Sequence, residues 1–524
     1  MAEPTESGKR PARFVAYPLL AAIYSVVALA AANGGELIRP VDLLLPLVIS
    51  VTAAIAAWFI SRAATRNLDG RALLTFILVT VFSGHGYLVD ALDQWGVPRP
   101  LAAASLALVP VALAVVVVRR GRVSFRPLST YLNLVLVIML AWASATLFWH
   151  WVRRSDPGIA LPDLPDRPNA AAPMAVRDRP NVLLIILDKY AGRQSLLSDF
   201  DYDNRPFEMM LEHQGFFVPR APRSNYVNTF LTLASMLNWE YLDDVARRAK
   251  HDGSRWGPAA SLIEDNRTWR ALHRLGYRFV FMPTAYQPTS RNRFADVQIP
   301  DPRQLTHEFE VVWFRGTIML GLMQRVCGAV PCSGASPPYV PESAASLDWK
   351  FATIPTLLQG DRPVFLFAHL LVPHEPYVYD ANCGHRPPYW PTTDEGREAA
   401  AVTAAYIGQI QCVNRKVETL VREVLADSTR PSLIILQADH GHGRLGRDLP
   451  MLSAATPRQV DARSDIFAAY RLPGAPPGLM SDSVGPVNAM RAVMRYYFGL
   501  DLPALQEATY WSSGSRPYDL TRVR

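Results

Sequence analysis

Cysteine is scarce in this chain, with four among 524 residues, and their spacings fit no standard zinc motif. Charge is scarce through the first 150 residues, which excludes an ordinary soluble domain there. Acidic residues are the rarer sign, because three short segments around residues 1–13, 62–71 and 119–126 account for the whole formal net charge of +7. The remainder of the chain is near neutral, which excludes the broad basic face of a nucleic-acid binder. An internal repeat is also lacking. What is present is a set of long apolar runs followed by a Pro-rich globular mixture.

The apolar runs lie near residues 14–33, 42–61, 72–92, 101–118 and 128–150. Each has about the length a helix needs to cross the roughly 30 Å hydrocarbon core, so five transmembrane helices are expected over residues 1–152. Lys9, Arg10 and Arg13 precede the first run. Arg62, Arg66 and Arg71 separate the second from the third, and Arg119, Arg120, Arg122 and Arg126 separate the fourth from the fifth. The alternate loops hold only Arg39 and Arg99, beside Glu36, Asp42, Asp90 and Asp93. This asymmetry predicts a cytosolic N-terminus and an external C-terminal part. The first run, ending in "ALAAANGG", also reads as a signal peptide, and its removal would leave that external placement unchanged. A Pro/Ala/Asp-rich linker follows over residues 153–180.

Residues 181–524 alternate short apolar runs with helical patterns. "NVLLIIL" (181–187), "RFVFMP" (278–283), "PVFLFAHLLV" (363–372) and "SLIILQ" (432–437) are predicted strands. Continuous apolar character points to strands covered on both faces, hence a mostly parallel sheet. "TFLTLASMLNWEYLDDVARRA" and "GREAAAVTAAYIGQIQCVNRKVETLVREVLA" have helical spacing, giving an external α/β domain. Residues 284–345 are loop-rich and give no clear element. All four cysteines, Cys327, Cys332, Cys383 and Cys412, fall in this external part, where an even count favours two disulfides. Three connectivities are open, with Cys327–Cys332 and Cys383–Cys412 the favoured pairing and a zinc site the alternative.

Two of the predicted strands run into an acid. "NVLLIIL" ends at Asp188, and "SLIILQA" ends at Asp439, followed by His440. Parallel strands place both carboxylates on one edge of the sheet, where ligands bind in open α/β folds. Crowded carboxylates repel unless a cation lies between them, and an adjacent imidazole suits zinc or manganese. Either acid alone reads as an ordinary strand-end residue; the pair with His440 favours one divalent metal. Asn228 and Thr229 open a predicted amphipathic helix, where the helix dipole favours an anion. A metal that lowers its pKa makes the Thr229 hydroxyl a nucleophile, against the plainer reading of a helix cap.

"PNVLLIILD", "NYVNTFLTLASMLN", "HLLVPHEPYVYD" and "LQADHG" follow one another in the order and rough spacing of the sulfatase/alkaline phosphatase superfamily. With the apolar runs, the chain resembles the membrane-bound branch that includes lipoteichoic acid synthases and phosphoethanolamine transferases. The resemblance implies an alkaline-phosphatase/sulfatase-like fold, with Asp188, Thr229, Asp439 and His440 around one metal and Thr229 forming a phospho-threonine. It implies that His374, in "VPHEPY", contacts the transferred group or assists the leaving group. Asn228, at the helix start, and His442 and Arg444, close behind the DHG, are candidate substrate-binding residues, the last two reading equally as part of a turn. Lys189 stands where two-metal members often carry an acid, which favours a single metal and a lysine near substrate phosphate. His369, inside a strand, reads as core or as support for the site. The Cys/Ser-x-Pro-x-Arg motif of formylglycine sulfatases is absent; the equivalent stretch is "TFLTLAS".

The expected activity is transfer of a phospholipid-derived head group, of phosphoethanolamine or phosphoglycerol type, onto a glycan or lipid of the cell envelope. The alternative is a phosphodiesterase or sulfuric ester hydrolase of the same fold, with water as acceptor. A catalytically inert scaffold is a third reading. Expected partners are membrane lipids and the envelope acceptor, with no nucleic acid. The resemblance implies a bacterial inner or plasma membrane, with the catalytic domain periplasmic or extracellular.

Overall fold

The computed structural model describes residues 15–34, 38–120, 124–153, 179–252, 256–303, 308–323, 342–389, 399–427, 430–444 and 449–524. They fall into two units. One takes in Met1–Gly34, Ile38–Arg153 and Phe309–Ala329; the other holds Arg154–Glu308 and Val330–Arg524.

The first unit contains α1 (Tyr17–Ala32), α2 (Leu44–Ala64), α3 (Leu68–Gln94), α4 (Arg99–Arg120) and α5 (Arg126–Arg153). The last four belong to helices long and apolar enough to cross a membrane. The described part of α1 has 16 residues, about 24 Å at 1.5 Å per residue, short of the hydrocarbon thickness. Among the described residues, the expected five spans are therefore four of full length and one shorter helix. Tyr17, Ala22, Val26 and Ala30 of α1 are fully buried, and their near four-residue spacing makes one face, small apart from Tyr17, that lets neighbouring helices approach closely. Asn133 of α5 accepts hydrogen bonds from the backbone N–H of Ala16 and Tyr17 at 3.0 and 2.7 Å, satisfying donors that the start of α1 leaves unpaired. Two further polar contacts join helix residues: the hydroxyl of Ser129 donates to Asp69 at 3.0 Å, and Arg99 pairs with Asp90 at 2.7 Å.

Part of the loop-rich stretch joins this first unit. The Ile318 N–H donates to the Phe82 carbonyl of α3 at 2.9 Å, and the Trp313 and Phe82 rings lie 6.3 Å apart. Gly86 permits the approach, because a Cβ there would sit 2.0 Å from the Arg315 carbonyl oxygen. The helix Glu308–Gly316 has no periodicity strong enough to announce this destination.

The second unit is built on a seven-stranded sheet. Its strands are β1 (Asn181–Leu187), β2 (Phe216–Phe217), β3 (Arg278–Met282), β4 (Val297–Gln298), β5 (Val364–Leu370), β8 (Ser432–Gln437) and β9 (Ala468–Arg471). Two small antiparallel pairs lie outside it, β6 (Tyr377–Tyr379) with β7 (His385–Tyr389) and β10 (Tyr510–Ser513) with β11 (Arg516–Arg522). The spatial order is β2-β9-β8-β1-β5-β3-β4. The central pairs β8–β1, β1–β5, β5–β3 and β3–β4 are parallel, whereas β9 runs antiparallel to β8 and to β2. Every residue of β1, β5 and β8 is buried, as expected of strands covered on both faces.

All four predicted strands are present to within three residues. The predicted helix after Asn228 is instead two, Thr229–Asn238 and Asp243–Asp252. Trp239 ends the first in a left-handed conformation, φ 59°, while its ring is buried and its indole N–H donates to Thr268 at 2.8 Å. Burial of the ring thus overrides the local helical pattern. Cys383 and Cys412 are bonded, tying the β6–β7 connection to the long helix Ala399–Asp427. Cys327 and Cys332 lie outside the described residues.

Candidate metal centre

The register that pairs Ile186 of β1 with Gln437 of β8 carries Asp188 and Asp439 off the same edge of the sheet, opposite one another. The Asp188 N–H is held by the Leu370 carbonyl at 3.0 Å. The chain then turns sharply at Lys189, whose φ of 62° is in the left-handed region, so that its N–H donates to Asp439 Oδ1 at 3.0 Å. The His440 N–H donates to the same oxygen at 2.8 Å. One carboxylate oxygen of Asp439 is thus engaged by two backbone donors, which fixes the direction of the other.

That other oxygen, Oδ2, has no hydrogen-bond partner although it is buried, and the same holds for Asp188 Oδ1. His440 Nε2 lies 3.3 Å from Asp439 Oδ2 and 3.9 Å from Asp188 Oδ1. Ligand atoms of Asp188, Asp439 and His440 lie within 4.8 Å of one another, so the three residues form a group that can hold a metal ion. Buried oxygens without donors are costly unless a cation compensates them.

The imidazole is set up for the same role. His440 Nδ1 lies 3.1 Å from the Gly441 carbonyl, which can only accept, so Nδ1 carries the proton and Nε2 presents a lone pair. Burial and the adjacent positive charge of Arg463 hold the His440 pKa well below its ordinary value, in the neutral form that ligates metals. Burial opposes ionisation of Asp188, but the imidazoles of His374 and His369 outweigh it and hold that carboxyl far below the usual range. Asp439 is pushed up to about 6 by burial and by the charge on Asp188.

Thr229 is the first residue of the helix Thr229–Asn238, with Asn228 as its extended N-cap. Its Oγ1 lies 3.2 Å from His440 Nε2, and the residue is partly exposed where the acids and the imidazole are buried. The side chain of Asn228 does not cap the helix; its amide donates to the Ser512 hydroxyl at 2.9 Å. His369 is fully buried in β5, with Nε2 3.4 Å from Asp188 Oδ2 and Nδ1 3.0 Å from the Thr289 hydroxyl. It backs Asp188 from the sheet side. The backbone N–H of His374 donates to the Asp188 carbonyl at 3.0 Å, and its partly exposed ring has Nδ1 2.6 Å from the Glu375 carbonyl.

The remaining candidates sit differently from the expectation. The Lys189 ammonium is buried in an ion pair with Glu375 at 2.9 Å, so its charge is already neutralised by the protein. His442 is fully buried, its ring 4.4 Å from Tyr406 and 5.0 Å from Phe200, with Nε2 3.5 Å from the Tyr377 hydroxyl. Arg444 lays its guanidinium over the Phe200 ring at 4.8 Å and donates to the Asp199 carbonyl. Both complete an aromatic cluster beside the centre, because the turn at Gly443 and Arg444, both with positive φ, bends the chain toward Phe200.

Two residues at the centre carried no sequence expectation. Glu375 was visible only as an acid between His374 and a proline, and nothing in "DARSD" distinguishes Arg463 from the arginines around it. Arg463 is buried, with Nη2 3.0 Å from His440 Nε2. It arrives through the helix Pro457–Ser464, whose capping box joins Thr456 and Gln459.

No protein-family model and no curated protein matches the chain. Among solved structures it is similar to the C-terminal periplasmic domain of EptC from Escherichia coli in complex with zinc, at 13% identity over 69% of this chain and 96% of that one, TM-score 0.44. It is also similar to the integral membrane protein lipooligosaccharide phosphoethanolamine transferase A from Neisseria meningitidis, at 13% identity over 91% and 94%, TM-score 0.41. The phosphonate monoester hydrolase of Agrobacterium radiobacter is a third, at 15% identity over 64% and 80%, TM-score 0.40.

Proposed function

We propose that the chain is a membrane-held, metal-dependent phosphotransferase of the sulfatase/alkaline phosphatase type, with Thr229 as nucleophile. One observation carries this reading. Thr229 is partly exposed, and its Oγ1 stands 3.2 Å from a neutral imidazole nitrogen whose carboxylate neighbours, Asp188 and Asp439, each keep a buried oxygen without a donor. Asp188, Asp439, His440 and Thr229 would hold one zinc or manganese ion. When bound there, the ion would supply a positive charge that lowers the pKa of the Thr229 hydroxyl and favours phosphoryl oxygens at the site.

In the first step Thr229 Oγ1, its proton given up to solvent, forms a bond to phosphorus while the bond to the lipid-side oxygen breaks, leaving a phospho-threonine. The N–H groups of the helix start favour the charge that builds there. His374, partly exposed and braced by Glu375, would hand a proton to the leaving oxygen. In the second step an acceptor hydroxyl gives its proton to His374 and attacks the phosphorus, the Thr229 oxygen leaves, and the enzyme is restored. The donor is a phospholipid-derived head group of phosphoethanolamine or phosphoglycerol type and the acceptor an envelope glycan or lipid; water in that place gives the hydrolase. The basic residues between α2 and α3 and between α4 and α5 favour a domain outside the membrane whether or not α1 spans it. Tethering keeps the domain beside a donor that leaves the bilayer only at high cost.

The test is peptide mass spectrometry of the full-length protein after incubation with native lipids. An adduct on Thr229, absent from Thr229→Ala, is expected, and its mass identifies the head group. Unmodified Thr229 together with full activity in Thr229→Ala would remove the covalent mechanism.

A further inference from the structure

Arg463 makes three hydrogen bonds, all to neutral acceptors. Nε donates to the Val227 carbonyl at 3.1 Å, Nη1 to the Gly441 carbonyl at 3.3 Å, and Nη2 to His440 Nε2 at 3.0 Å. The first two come from either side of the centre, one just before Thr229 and the other just after His440. They fix the plane of the guanidinium, which is rigid and presents its donors in a set fork. The backbone is fixed as well: the Gly441 N–H donates to the Arg463 carbonyl at 2.7 Å. A Cβ on Gly441 would lie 2.2 Å from the Ala462 carbonyl oxygen, so strand end and helix end are packed without slack.

The third bond differs from the other two. His440 Nε2 has a single lone pair, since Nδ1 holds the proton, and that lone pair cannot serve a guanidinium N–H and a metal ion together. A metal on His440 therefore leaves Nη2 as a buried, positively charged donor without an acceptor, still clamped by the two carbonyls. Such a donor gains most from an anionic oxygen. Thr229 Oγ1 lies 3.2 Å from His440 Nε2 and Arg463 Nη2 lies 3.0 Å from the same nitrogen, so the vacated donor and the attacking oxygen face one point of the site.

We propose that Arg463 binds a nonbridging oxygen of the tetrahedral anion attacked by Thr229, and that metal binding at His440 is what releases it to do so. The proposal rests on the metal reading above. It predicts that substitution of Arg463 moves two affinities in opposite directions. Zinc affinity holds or rises, because a like charge and a competitor for Nε2 are removed. Affinity of the zinc-loaded protein for inorganic phosphate falls on the order of 10- to 100-fold, the worth of one charged hydrogen bond.

The experiment uses the full-length protein in lipid nanodiscs, titrated with zinc against a chromophoric chelator and then with inorganic phosphate by calorimetry. Wild type, Arg463→Met and Arg463→Lys are compared, with and without zinc. Arg463→Met is expected to keep zinc and lose phosphate, and Arg463→Lys, which retains the charge without the fork, to fall between. The substitution should matter for phosphate only when zinc is bound. Equal phosphate affinity in zinc-loaded wild type and Arg463→Met overturns the proposal and leaves the metal reading standing. Loss of zinc by both variants makes Arg463 a structural prop and also overturns it. Wild-type protein that takes up no zinc sinks the metal reading first.

Discussion

Replacing Asp439 by Asn should stabilise the metal-free protein while abolishing its capacity for metal. Asp439 is fully buried and its carboxyl is pushed up to about 6, from an ordinary 3.8, by burial and by the charge of Asp188. Its folded-state pKa lies above the unfolded one, so folding favours the protonated form. Below pH 4 the group is neutral in both states and imposes no penalty. Between about pH 4 and 6 the unfolded chain ionises while the folded one keeps its proton, so the penalty builds over that window and levels off above it at about 3 kcal/mol, at 1.36 kcal/mol per unit. Asparagine removes the charge and keeps the acceptor that takes the Lys189 and His440 N–H groups at 3.0 and 2.8 Å. The oxygen it gives up, Oδ2, has no hydrogen-bond partner to lose. Thermal melts of chelator-treated full-length protein should place Asp439→Asn on the order of 5 °C above wild type at pH 8, with the gap roughly halved at pH 5. Adding zinc should raise the wild-type melt and leave the variant unmoved. A metal-free variant that is no more stable than wild type at pH 8, or a gap independent of pH, would refute the account of two carboxylates held together against their own repulsion.

Lys189→Met should cost about 3–5 kcal/mol, because it strands the buried Glu375 carboxylate without its partner. The double variant Lys189→Met/Glu375→Gln should recover most of that loss in denaturant titrations, and a single variant as stable as wild type would show that the pair is not buried. Gly441→Ala should loosen the centre, since the new methyl would sit 2.2 Å from the Ala462 carbonyl oxygen and 2.3 Å from that of Asp465. Weaker zinc binding and a lower melting temperature are expected, and unchanged zinc affinity would mean that the strand end and the helix end are not coupled.

The elements legible in the sequence are those whose cause is local. A run such as "NVLLIIL" is a strand buried on both faces whatever surrounds it, and "SLIILQ" likewise, so the sheet could be read as mostly parallel. Parallel strands end on one edge, and that alone brings Asp188 and Asp439 together. A helix following "NYVN" likewise starts near Thr229. The apolar N-terminal helices were equally plain, apart from the length of α1, which depends on where its first turn begins.

What sequence patterns missed depends on chain segments that meet only after folding. Phe309–Met323 reads as loop, and its place against Phe82 and Gly86 is set by the small residue on α3 rather than by any periodicity of its own. His442 and Arg444 follow the DHG closely, yet two positive φ angles in succession turn them into an aromatic cluster. Lys189 follows Asp188, yet a left-handed turn sends its ammonium to Glu375. Arg463 reaches His440 because β9 returns antiparallel beside β8 and carries the preceding helix back over the strand end. By itself the sequence determined which residues must be buried and which strands end in an acid, since hydrophobic burial and backbone periodicity act over a few residues. Only the tertiary structure decided which distant groups share a lone pair, because hydrogen-bond partners separated by twenty or two hundred residues are chosen by packing.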